Sequence, residues 1–172
     1  MNRSEFRKRV YTAYFRNYFS SFEGNTVDLE HFEETAVGYR HNFGDHLATL
    51  PQGARVLDVG CGTGQCLFWL DREGYHAEGI DLSEEQLREA RAILPDSVEL
   101  TAADTFEFLR SADGEYHAII ANDFIEHLTR MEALDFAEAA GEALRPGGLL
   151  LLRTPNALCP SAGRFYDDLT HE

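Results

Sequence analysis

The stretch Val56-Leu57-Asp58-Val59-Gly60-Cys61-Gly62-Thr63-Gly64 decides the fold, because it reads as a strand that breaks into a glycine turn. Val56, Leu57 and Val59 are the apolar residues of a parallel strand buried on both faces. Gly60, Gly62 and Gly64 let the backbone turn sharply and approach a ligand with no Cβ in the way. Thr63 is the expected N-cap of a helix running from Gln65 to Glu73, with Leu67, Phe68 and Leu70 available to pack. Strand, turn and helix N-terminus together predict a site for a small polar ligand at the strand's carboxyl end.

Outward from that turn, strand alternates with helix. The pattern predicts strands near 55–59, 76–80, 98–101 and 116–121. Helices follow at 64–73, Ser83 to Ile93, 105–110 and 130–144. Ser83 and Gln86 have the spacing of a capping box. Arg145-Pro146-Gly147-Gly148 reads as a turn before a fifth strand, Leu149 to Arg153. Such alternation implies right-handed crossovers and a mostly parallel, doubly wound α/β sheet of the Rossmann-like kind. Residues 1–50 carry no strand signal. Aromatics at Phe6, Tyr11, Tyr14, Phe15, Tyr18 and Phe19 suggest an amphipathic helix, and Leu29 to Leu50 suggests one or two more before Pro51-Gln52-Gly53. Residues 1–50 are therefore expected to form a helical cap on the domain of residues 51–172.

The glycine spacing separates two ligand classes. A dinucleotide fingerprint wants its third glycine one residue later, where this chain has Gln65. Asp58, inside the strand, suits a cationic or amine-bearing ligand better than a pyrophosphate. At this point the chain resembles the class I S-adenosylmethionine-dependent methyltransferases, whose first motif has this form. The resemblance spans about residues 36–156. It implies that Asp58, Gly60, Cys61, Gly62 and Gly64 border the cofactor, with the Cys61 amide as the useful part of that residue. Asp81, in GIDLS, would accept both ribose hydroxyl protons, with Leu82 against the adenine. Asp104, in AADTF, would bond the adenine amino group beside Thr105 and Phe106. The backbone near Asn122 would face the methionine part, and Arg40 would pair with its carboxylate. Asp123, Glu126 and His127 would project toward the acceptor. His127 is the candidate base, since an imidazole accepts a proton near neutral pH, and Glu126 is the second candidate. The product would be S-adenosylhomocysteine.

Composition bounds the partners. The chain has 172 residues, enough for one domain with a sizeable core, and is 44% hydrophobic and 12% aromatic. Its net charge of −15 disfavours nucleic acid and anionic membrane surfaces but leaves a protein acceptor open beside the expected small-molecule substrate. No apolar run approaches the roughly 20 residues of a membrane span, and no signal peptide opens the chain. Cys61, Cys66 and Cys159 lack metal spacing and are expected as free thiols in a reducing cytoplasm. No metal is expected, because no paired His/carboxylate motif occurs.

The resemblance also implies seven strands, so a count of five suggests that the last two are absent from this chain. The edge so left would be covered by a partner or swapped segment, and a homodimer is one expectation. The tail after Pro155 resembles methyltransferases of polysaccharide or sugar biosynthesis, implying a sugar hydroxyl as acceptor. A quinone or lipid precursor, a non-catalytic cofactor-binding module and a nicotinamide-dependent oxidoreductase are the alternatives.

Overall fold

A computed structural model describes residues 28–156. Helix α1 (Leu29–Leu47) starts where the Asp28 side chain accepts a 2.9 Å hydrogen bond from the His31 amide. It is one helix where the sequence left one or two, and its buried side carries Phe32, Phe43 and Leu47. The aromatic cluster at Phe6 to Phe19 lies outside the described residues.

The strands are β1 (Arg55–Val59), β2 (His76–Asp81), β3 (Glu99–Ala102), β4 (Tyr116–Asn122) and β5 (Leu144–Arg153). They form one parallel sheet in the order β3-β2-β1-β4-β5. Helices α2 (Gln65–Arg72), α3 (Glu84–Ile93), α4 (Thr105–Ser111) and α5 (Arg130–Ala143) make the crossovers. The period-two alternation of β1 and β4 divides the core. Val56, Ala118 and Ile120 pack with α1, α2 and α3, whereas Leu57, Val59, Ile119 and Ala121 pack with α4 and α5. Each fully buried Leu or Ile of this kind contributes roughly 1.5–3 kcal/mol relative to exposure. On the first face, Phe32 meets Phe68 edge-on at 5.4 Å and Tyr39 stacks on Trp69 at 6.3 Å, fixing α1 over α2.

Three local expectations are corrected. Gly64, in a left-handed conformation, is the N-cap of α2, while the Thr63 hydroxyl turns to the Gln65 side chain. Ser83 caps the Gln86 amide at 3.3 Å, but the reciprocal half of the box is displaced because the Ser83 amide donates to Asp81 at 2.7 Å. The turn at Arg145 to Gly148 sits inside β5: Leu144 pairs with Tyr116, Leu149 pairs with Ala118, and the residues between bulge out. Pro146 has no amide to offer the ladder and Gly147 takes a φ of 80°, so both suit a bulge.

Wiring places the site. The chain leaves β1 toward β2 and β3, then returns to lay β4 and β5 on the other side. Crossovers therefore diverge between β1 and β4, which opens a crevice at the carboxyl ends of those strands.

Candidate functional site

The glycine turn is held mainly by its own backbone. The amides of Gly60 and Cys61 both donate to the Ile80 carbonyl, at 2.9 and 3.0 Å, and the Gly64 amide donates to the Cys61 carbonyl. The Cys61 amide is thus committed to the fold, correcting the expectation that it serves a ligand. Its thiol packs under the site, against a Gly79 that has no side chain to obstruct it. Burial, then the charges of Asp58 and Asp81, push that thiol's pKa well up.

Gly60 is the glycine that borders the cleft. Its φ is 69°, and an added Cβ would lie 2.8 Å from the Phe124 ring. Gly62 and Gly64 do not line the cleft. A Cβ on Gly64 would strike Leu94 of the α3 end at 2.6 Å, and one on Gly62 would meet the Gln86 side chain at 2.8 Å. They let the turn close on α3 instead.

The three strand acids do different things. Asp81, at the end of β2, receives the Gly62 amide on Oδ2 at 3.0 Å and the Ser83 amide on Oδ1 at 2.7 Å. Its carboxylate therefore ties the glycine turn to the start of α3 while lining the cleft. Each oxygen keeps a second lone pair. Burial raises its pKa, and the amides of Ser83 and Gly62 oppose that rise. Asp104 caps α4, with Oδ1 accepting from the Phe106 and Glu107 amides at 3.0 and 3.2 Å, and it also lines the cleft. Asp58 does not line it. Only 3% exposed, it sits beside the Cys66 thiol. Its pKa is pushed up to about 8, first by burial and then by the Asp81 charge, with the Cys66 hydrogen bond opposing. Burial thus disfavours its charged form, and the side chain packs beneath the cleft beside Cys66 and not in its lining.

The far wall follows β4. Asp123 and Phe124 line the cleft after Asn122, followed by His127 and Leu128 from the 3-10 turn Ile125–His127. Asn122 itself stays outside the lining and accepts from Arg153 at 3.1 Å. Glu126 is buried outside the cleft lining, its Oε2 accepting from the Thr154 hydroxyl at 3.0 Å. It anchors the turn and does not face the cleft, whereas His127 does. Leu82, Thr105 and Phe106 complete the opposite side. The cleft is thus acidic at the β2 and β3 ends and largely apolar between.

The sequence profile of the methyltransferase-domain family matches residues 30–170. The chain belongs to that family. A ubiquinone biosynthesis O-methyltransferase of Aromatoleum aromaticum is 35% identical over 107 residues, covering 60% of this chain and 45% of that one. The chain spans about a third to three fifths of the length of the curated relatives it matches. Among solved structures, an S-adenosylmethionine-dependent methyltransferase of Archaeoglobus fulgidus shares the fold. Its TM-score is 0.68 at 22% identity, covering 84% of this chain and 67% of that one. A second, from Mesorhizobium loti, gives a TM-score of 0.59 at 26% identity, covering 73% of this chain and 55% of that one. The nicotinamide-dependent alternative falls with the family assignment.

Arg40 is placed elsewhere. It lies on the outer side of α1, ion-paired with Glu73 and 67% exposed. There it borders a second groove with Glu33, Val37, Trp69 and Arg72, so its reading as a cofactor-carboxylate partner is corrected. Sequence reasoning missed Phe124, Leu128 and Arg153. Phe124 could be found only by placing β4 next to β1, which brings its ring over Gly60. Among the described residues, no helix is long and apolar enough to cross a membrane, and no cluster of His, Cys, Asp or Glu could hold a metal ion.

Proposed function

We propose that the chain binds S-adenosylmethionine in the cleft at the ends of β1, β2, β3 and β4 and methylates a hydroxyl of a small-molecule acceptor. One observation carries this reading: a strand-end carboxylate, Asp81, shares a cleft with the bare Cα of Gly60 and the apolar side chains Leu82, Phe106 and Leu128. The second lone pair on each Asp81 oxygen suits the two hydroxyls of a ribose. Leu82 and Phe106 offer flat apolar contact to a purine, and Asp104 stands at its edge. When bound, S-adenosylmethionine supplies a methyl group already activated by its sulfonium charge. The protein then needs to align the acceptor, exclude water and take a proton. His127 takes that proton, as the imidazole on the wall that faces the acceptor. Transfer would join the methyl to the acceptor oxygen as its bond to sulfur breaks, so the acceptor proton would pass to His127 and the donor's sulfur would be left as a neutral thioether.

The relative named for ubiquinone biosynthesis supports a hydroxyl of a quinone or lipid precursor beside the sugar hydroxyl suggested by the tail, which lies outside the described residues. Calorimetry with S-adenosylhomocysteine, followed by methyl transfer to catechols and to sugar nucleotides, tests the reading. Saturable binding with turnover on the catechols is expected. His127→Ala should leave binding within about twofold and lower turnover about 10²–10⁴-fold, the usual contribution of a positioned base. Absence of binding would overturn the assignment. Binding without turnover on either acceptor class would support a non-catalytic module.

A further inference from the structure

Asp123 is the single non-glycine residue at positive φ among those described, at 51°. A side chain held there costs free energy, so surrounding contacts must determine it. Those contacts come from the end of β5. The Asp123 amide donates to the Arg153 carbonyl at 2.8 Å. The Arg153 guanidinium reaches both Asp123 oxygens, at 3.2 and 3.4 Å, and Asn122 Oδ1 at 3.1 Å. Asn122 in turn donates to Asp123 Oδ2 at 2.9 Å. One residue on, the Thr154 hydroxyl donates to Glu126. The last residue of β5 and the residue after it therefore grip the segment that carries Phe124 and His127 into the cleft.

We propose that the carboxyl end of β5 is a clasp, in which Arg153 is a positioning residue. It holds Asp123 in its left-handed conformation and so sets the Phe124 and His127 wall. Arg153 does not itself line the cleft, so its effect on a ligand passes through that wall. The effect on binding rests on the reading of the cleft as an S-adenosylmethionine site; the clasp itself does not.

A double-mutant cycle of Arg153→Ala with Asp123→Gly tests this, because glycine adopts positive φ without help and removes the need for a clasp. Two readouts apply: hydrogen exchange of the His127 and Leu128 amides, which close the 3-10 turn, and the affinity for S-adenosylhomocysteine. Arg153→Ala should speed exchange about fivefold and weaken binding about threefold, with both effects falling below about 1.5-fold in the Asp123→Gly background. Equal effects in both backgrounds would make Arg153 a general stabiliser and overturn the proposal, as would no effect in either. The Gly60 and Cys61 amides, bonded to Ile80, report on global unfolding. Should they also lose protection, Arg153→Lys supplies the same cycle. If the parent chain binds no S-adenosylhomocysteine, the proposed function fails, and the exchange data still decide the clasp.

Discussion

On the β1–β2 side the cleft is held by main chain: two amides on the Ile80 carbonyl, and two more on a largely buried Asp81 carboxylate. On the β4–β5 side a main-chain bond from the Asp123 amide to the Arg153 carbonyl is joined by side chains, with a half-exposed ion pair on the one non-glycine residue at positive φ among those described. Magnitudes separate the two. Stripping the partner from a buried amide costs roughly 1–3 kcal/mol, whereas an exposed ion pair is worth about 0–1 kcal/mol. The first wall is therefore a stiff platform, and the second a wall that smaller forces can reset. A methyl donor common to many reactions suits the platform, while an acceptor that differs between enzymes suits the adjustable side.

The sharpest way to break that contrast is Gly60→Val. A β-branched residue at a φ of 69° costs about 1–3 kcal/mol, before its Cβ meets the Phe124 ring. Binding of S-adenosylhomocysteine should disappear in calorimetry and the thermal midpoint should fall. Retained affinity would show that the platform yields. Asp81→Ala comes next, since it orphans the Gly62 and Ser83 amides. Urea unfolding should register a loss of about 2–4 kcal/mol, and binding should weaken by roughly two orders of magnitude. Asp81→Asn, which keeps one acceptor oxygen, should fall between that variant and the parent chain.

A smaller effect concerns Asp58, below the platform. Its folded pKa of about 8 lies above the ordinary carboxylate value of 3.8, so the folded state binds more protons across that interval. Stability should be fully present below pH 4 and decline as pH rises toward 8, with a slope of at most about 1.4 kcal/mol per pH unit. Asp81, raised in the same direction, adds to that slope. Asp58→Asn should flatten the decline in urea midpoints between pH 5 and 8. An unchanged slope would mean that Asp58 is charged in the fold. Least affected should be Arg40→Ala, which removes only an exposed ion pair and should leave ligand affinity within about twofold.

The platform was legible in the sequence because its determinants are local. Glycines at Gly60, Gly62 and Gly64 mark a backbone that side chains cannot follow, and Asp81 and Asp104 stand at strand ends that alternation predicts. What those residues do with their hydrogen bonds was not legible. Sequence spacing points the Cys61 amide and the Asp58 carboxyl toward a ligand, but the Ile80 carbonyl takes the first and the second is buried beside Cys66. The β4–β5 wall was partly hidden for a different reason. Arg153 meets Asp123 only because β5 lies beside β4, and no spacing within either strand encodes that contact. Arg40 misled because an arginine on a helix next to the motif is equally able to face outward, where Glu73 holds it.

The most direct measurement is an amide chemical-shift titration of the chain with S-adenosylhomocysteine. Gly60, Leu82, Thr105, Phe106 and Phe124 should shift together and saturate, while Arg40, Trp69 and Arg72 should stay still. Shifts confined to the outer groove of α1 and α2, or none at any of these amides, would contradict it.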